Sequence, residues 1–143
     1  MIFRVLLASI LIAFCGTLSR AAENISCPDS ITTRQELTSS PSGWSPLLDD
    51  TPHNLAGITF YDGPPAEKAS LAYDQYKHGR GEDVATWSFA KQEDRRIYVV
   101  CSYAGTAVEL SRTLPPQVST CTVTYDPQTH IAGSPAVKKI ICR

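Results

Sequence analysis

Uncharged, mainly apolar residues run without a break from Val5 to Phe14, and no other segment of the chain is like it. Further on, the apolar positions come in short bursts, and in the C-terminal half they alternate. Ile97, Val99, Cys101 and Tyr103 alternate with Tyr98, Val100 and Ser102, the two-residue period that sends successive side chains to opposite faces of a strand. Ala104-Gly105 reads as a short turn, with Thr106 to Arg112 as the hairpin partner. Val118 to Tyr125 places Cys121, Val123 and Tyr125 on one face and Thr120, Thr122 and Thr124 on the other. Asp126-Pro127-Gln128 predicts a turn, and Val137 to Cys142 a last strand.

The N-terminal half is less regular. Ile31 to Leu37 predicts a first strand, and the prolines and glycine between Ser39 and Asn54 an irregular connection. Leu55 to Tyr61 is a β-rich run stopped by Asp62-Gly63-Pro64-Pro65. Residues Ala66 to Lys77 are open to two readings. A helix started by Pro65 and ended by Gly79 would set Ala66, Ala69, Tyr73 and Tyr76 on one face. His78 to Asp83 is a polar loop, and Val84 to Ala90, carrying Trp87 and Phe89, returns to strand character. The expected fold is mostly β: a small antiparallel β-sandwich or barrel, with at most one short helix and two disulfides.

Arg4 ahead of the apolar run and Ser19-Arg20-Ala21 behind it complete the pattern of a secretory leader. Residues 1–21 are therefore expected to be a signal peptide, cleaved after Ala21 or Ala22, with 22–143 as a single domain exported to the periplasm. The apolar run falls short of the roughly 20 residues a membrane span needs, which weighs against an uncleaved anchor. Cys15 raises the thought of a lipoprotein, but Phe14 stands where that signal wants a small residue. The leader holds Arg4 and Arg20 and no acid, so its removal takes the formal charge from −1 to −3. That balance argues against a nucleic-acid binder, which needs a basic face. Four cysteines remain: Cys27, Cys101, Cys121 and Cys142. An even count in an exported chain reads as two disulfides, and the absence of any closely spaced pair excludes zinc-finger and redox motifs. Of the three possible pairings, Cys101–Cys121 and Cys27–Cys142 are expected, the first joining apolar-facing positions of neighbouring segments and the second tying the chain ends.

Candidate chemistry is sparse. Ser88-Phe89-Ala90-Lys91 matches the S-x-x-K nucleophile motif, but that motif needs a helix, and on a strand Ser88 and Lys91 point to opposite faces. His53, His78 and His130 each stand alone in polar stretches and read as exposed loop residues. Asp49-Asp50 and Glu82-Asp83 read as solvated acids, and no cofactor or metal pattern accompanies them. Asn24-Ile25-Ser26 is a formal glycosylation sequon without meaning in a bacterial periplasm. Trp87 is expected in the core. Trp44, in a proline-rich loop, either pins that loop or anchors a partner.

Cys27-Pro28, Gly43-Trp44, Gly63-Pro64, Trp87, Cys101-x-Tyr103-x-x-Thr106, Leu114-Pro115 and Cys121 together resemble a family of small exported Gram-negative proteins found near type VI secretion clusters. The resemblance implies an immunity protein that blocks a peptidoglycan-attacking effector. A second likeness, to periplasmic inhibitors of C-type lysozyme, rests on Tyr98-Val99-Val100-Cys101 followed by Gly105. Those inhibitors use an S-G-x-x-Y loop, whereas here Ser42-Gly43 is followed by Trp44, Ser45 and Pro46, with no tyrosine.

The expected function is a periplasmic, non-enzymatic protein inhibitor, the alternative being an envelope protein that binds carbohydrate or peptidoglycan fragments. A small hydrolase would require the loop histidines and acids to meet in space. An inhibitor needs a protruding element on a rigid scaffold, and two segments qualify: Pro41 to His53 and Asp62 to Asp83. Trp44, Tyr76, His78 and Arg80 are the expected partner-binding residues, with the face of Thr120, Thr122 and Thr124 as the alternative.

Overall fold

The computed structural model describes residues 25–47, 50–90 and 95–143. Among them nine strands form two antiparallel sheets, and the only helical element is a 3₁₀ turn at Pro65–Glu67. The strands are β1 (Ser30–Ile31), β2 (His53–Asp62), β3 (Ser70–Leu71), β4 (Gln75–Lys77), β5 (Asp83–Ser88), β6 (Ile97–Tyr103), β7 (Glu109–Thr113), β8 (Thr120–Ile131) and β9 (Ser134–Cys142). The first sheet has the order β1-β2-β6-β7, with β3 also paired to β2; the second has the order β4-β5-β8-β9. The mostly β, antiparallel expectation holds, and of sandwich and barrel the two sheets make a sandwich. The leader, Asn24, Asp49 and Lys91 lie outside the described residues.

Alternation in the sequence builds the core between the sheets. Phe60, Val99 and Cys101 point inward from the first sheet, and Ala85, Trp87, Cys121, Val123, Ile140 and Cys142 from the second. Phe60 is fully buried at the centre, its ring 5.0 Å from that of Trp87 and 5.4 Å from that of Phe89. Tilted pairs at this spacing set the positive edge of one ring on the negative face of the other. The Trp87 indole N–H donates to the Leu71 carbonyl oxygen at 3.1 Å, so the buried donor has its partner.

The open question at residues 66–77 is decided, and several expectations are corrected. Beyond the 3₁₀ turn, residues 66–77 form no helix. After the 3₁₀ turn, Leu71 pairs with Phe60 in the first sheet, and Tyr76 pairs with Ala85 in the second. The segment crosses from one sheet to the other in two strands too short to show a period. The expected first strand from Ile31 to Leu37 shrinks to Ser30–Ile31, held on Asn54 and His53 of β2. The expected partner of β6 starts three residues late, at Glu109. Asp126-Pro127-Gln128 is not a chain-reversing turn but an irregularity within β8, the kind of place where a sheet tolerates a proline. The Asp126 carboxylate there accepts from the Gln128 N–H at 2.9 Å and the Thr129 hydroxyl at 3.0 Å. The reversal comes at Ala132-Gly133, whose φ angles of 50° and 84° suit a two-residue hairpin turn.

The disulfides pair differently from expectation: Cys27–Cys101 and Cys121–Cys142, in place of Cys101–Cys121 and Cys27–Cys142. Cys121 and Cys142 are register partners on β8 and β9, with Cα atoms 4.1 Å apart. Cys101 belongs to the other sheet and instead fastens the N-terminal segment at Cys27, 5.9 Å away. Facing the same core did not make Cys101 and Cys121 neighbours.

Candidate functional site

The hairpin of β4 and β5 carries three of the four expected binding residues and gathers two of them, Tyr76 and His78, around one buried carboxylate. Asp83 opens β5 and is only 5% exposed, the one buried charged residue among those described. Its carboxylate accepts from the Tyr76 hydroxyl at 3.1 Å, the His78 Nδ1–H at 3.1 Å and the Gly79 N–H at 3.3 Å. The expectation that Glu82-Asp83 is a solvated pair is thus corrected for Asp83. Glu82 reaches Lys138 of β9 at 2.7 Å, an exposed pair of small energetic weight. Glycine is required at position 79, where a Cβ would run into the Glu82 carbonyl.

Tyr76 lies on the inward register of β4, half-buried, so its ring supports the hairpin rather than projecting from it. It stacks at 6.4 Å on Tyr125, meets Tyr73 at 5.4 Å and touches the His78 ring at 5.0 Å. Burial, reinforced by Tyr76 and Tyr73, pushes the Tyr125 hydroxyl up to about 12. Burial and the neighbouring Asp83 carboxylate likewise raise that of Tyr76, so both rings stay neutral hydrogen-bond donors near neutral pH. His78 is held at Nδ1, yet its side chain is 82% exposed. Arg80 is exposed at the loop tip. Sequence reasoning set Tyr73 beside Tyr76 but missed Asp83 and Tyr125 as members of this cluster, because strand pairing brings those two to Tyr76.

Burial alone would raise the Asp83 pKa. The Gly79 N–H, the Tyr76 hydroxyl and the His78 ring outweigh it and hold the carboxyl below its ordinary value of 3.8. A depressed folded-state pKa gives stability that is complete above the unfolded value and lost as pH falls through the folded one. Calorimetry from about pH 6 to about pH 2 should therefore show a fall in melting temperature below about pH 4 that Asp83→Asn flattens. An equal slope in both proteins would show that the three hydrogen bonds do not favour the ionised form.

Trp44 stands apart from this hairpin. Its backbone N–H closes a turn on the Pro41 carbonyl at 3.1 Å, but its side chain is 78% exposed, so the indole does not pin the loop. His53 is corrected too. It is not an exposed loop residue but the half-buried start of β2, lying under a groove of about 790 Å³. Its Nδ1 lies 2.8 Å from the Ala104 carbonyl oxygen, which can only accept, so Nδ1 carries the proton. Nε2 is then the acceptor for the Thr33 hydroxyl at 2.9 Å and the Gln35 amide at 3.3 Å. His53 braces the N-terminal segment against the β6–β7 turn. His130 is exposed on β8, and Ser88 ends β5. Among the described residues no group of three or more His, Cys, Asp or Glu is placed to hold a metal ion, and no helix is long and apolar enough to cross a membrane.

Fold and site together define a small, disulfide-fastened β-sandwich domain that presents a braced polar hairpin. The profile of the type VI secretion system Tli immunity proteins matches residues 50–143, and the chain belongs to that family. It is also similar to an uncharacterised 16.3 kDa protein in the trpG 5′ region of Azospirillum brasilense, 30% identical over 132 residues covering 85% of this chain and 87% of the relative. No solved structure matches the chain. The role is that of an immunity protein in type VI secretion, and such a protein has an effector protein as its partner.

Proposed function

We propose that residues 22–143 work in the periplasm, after loss of the leader, by binding and blocking a type VI effector that attacks peptidoglycan. The family match over residues 50–143 carries this reading. Two disulfides support it, because such bonds persist in oxidising compartments. His78 and Arg80 contact the effector from the β4–β5 hairpin, Tyr76 holds that hairpin in shape, and Trp44 offers a second, separate contact. Ordering costs are low where the contact residues are already fixed, as His78 is by Asp83.

The test is survival of a recipient strain lacking this gene against a type VI-armed attacker. Attackers each missing one effector identify the effector that is blocked. The full chain should restore survival, its periplasmic form should begin at Ala22 or Glu23, and a leaderless version should not protect. Protection by the leaderless chain would overturn the periplasmic site of action. Unprotected recipients should release peptidoglycan fragments; intact sacculi with degraded membrane lipid would overturn the peptidoglycan target and leave the immunity role standing.

A further inference from the structure

The outward face of the second sheet is a continuous, ordered surface next to the hairpin. Its composition follows from register, since directly paired residues share a face. One row across the sheet is Lys77, Val84, Thr124 and Lys139. The next is Gln75, Thr86, Thr122 and Ile141. Beyond it Thr120 pairs with Ser88 and, through backbone hydrogen bonds of 2.9 and 3.1 Å, with Arg143. All of these side chains are exposed or half-buried, while their neighbours Ala85, Cys121, Val123 and Ile140 face the core.

Two properties of this face point to a ligand. The first is charge. Lys77, Lys139 and Arg143 stand in these rows, Arg80 adjoins them, and the rows themselves hold no Asp or Glu, although the whole chain carries more acid than base. The nearest acids already have partners: Asp74 accepts the Ser88 N–H at the sheet edge, Glu82 pairs with Lys138, and Asp126, beyond Thr124 on β8, accepts from the Gln128 N–H and the Thr129 hydroxyl. Paired cations stand elsewhere on the molecule, Arg34 with Glu36 and Arg95 with Asp62 and Glu67. The second is stiffness. Val84, Thr86, Thr120, Thr122, Thr124 and Ile141 are all β-branched, so few rotamers are lost when a partner covers them.

We infer that this face docks an acidic surface of the effector protein, extending the hairpin contact into one interface. The inference rests on the immunity reading. With strands about 4.8 Å apart, a row of four spans only about 14 Å. That is too small for the roughly 800 Å² per partner of a stable complex, so hairpin and face are needed together. A second copy of this chain is a poor occupant, because a two-fold contact would set cations against cations.

The probe is the purified effector identified by the survival assay. Lys77→Glu/Lys139→Glu/Arg143→Glu should weaken its binding by about 100-fold and the neutral Gln triple by about 10-fold. The control Lys68→Glu/Arg96→Glu, at exposed positions of the other sheet's side, should change it by less than about twofold. Wild-type affinity should fall with added salt, and the triple variants should lose most of that dependence. Melting curves verify that each variant folds. Failure of the wild-type chain to bind or protect would refute the immunity reading itself. Wild-type binding with both triple variants unimpaired, or a dimer of this chain that the Glu triple dissolves, would overturn the docking face alone.

Discussion

Cys27→Ala/Cys101→Ala should destabilise the domain by about 4.5 kcal/mol, the larger of the two disulfide effects. This bond closes a separation of 74 residues, against 21 for Cys121–Cys142. In the chain-entropy picture the cost of closing a loop in the unfolded chain grows with the logarithm of its length, so Cys121→Ala/Cys142→Ala should cost about 3 kcal/mol. The long bond also holds Ile25 and Cys27 against the core and keeps the N-terminal segment beside β2. For a domain of this size the first loss lowers the melting temperature by about 15 °C. Calorimetry of the two double variants checks the order. A larger effect from the Cys121–Cys142 pair would mean that the strand registry, rather than loop closure, dominates. Non-reducing peptide mapping should recover Cys27 linked to Cys101.

Phe60→Ala should be the most damaging single core substitution, at about 3 to 5 kcal/mol. Phe60 has no exposed surface and packs against both Trp87 and Phe89 across the two sheets. Truncation removes the transfer energy of the ring and leaves a cavity that two paired, disulfide-fastened sheets cannot collapse around. Since small domains hold only about 5 to 15 kcal/mol in total, the variant should be marginal at 37 °C. Phe60→Leu should recover about half of the loss. Trp44→Ala is the contrast: with its side chain in solvent, urea melting should show a change within about 0.5 kcal/mol. A Trp44→Ala effect as large as that of Phe60→Ala would show that the indole is packed in solution.

Reading the binding site from sequence met a specific obstacle. His78 and Arg80 were legible as a polar, glycine-flanked loop, and the structure keeps them exposed at a hairpin tip. Asp83 was not, since nothing in the string Glu82-Asp83 distinguishes a solvated acid from a buried one. Its burial arises because Asp83 pairs with Tyr125 while Tyr76 and His78 fold back over it. His53 is a like case. Its neighbours in sequence are polar, but its ring partners Ala104, Thr33 and Gln35 come from two other segments.

The sequence by itself determined the β class, the inward and outward positions of the long strands, the core place of Trp87 and the use of four cysteines in two bonds. Each of these follows from local alternation or from counting, and local rules survive folding unchanged. Only the tertiary structure decided which cysteines meet, how residues 66–77 cross between the sheets, and which acid is buried. Those depend on which strands become neighbours and in what register. Cys121 meets Cys142 because β8 and β9 form a hairpin around Ala132-Gly133. Leu71 and Tyr76 become strand residues because Phe60 and Ala85 offer them backbone partners. A strand of two or three residues has too few positions to carry a period, so its conformation is set by the hydrogen bonds its neighbours supply.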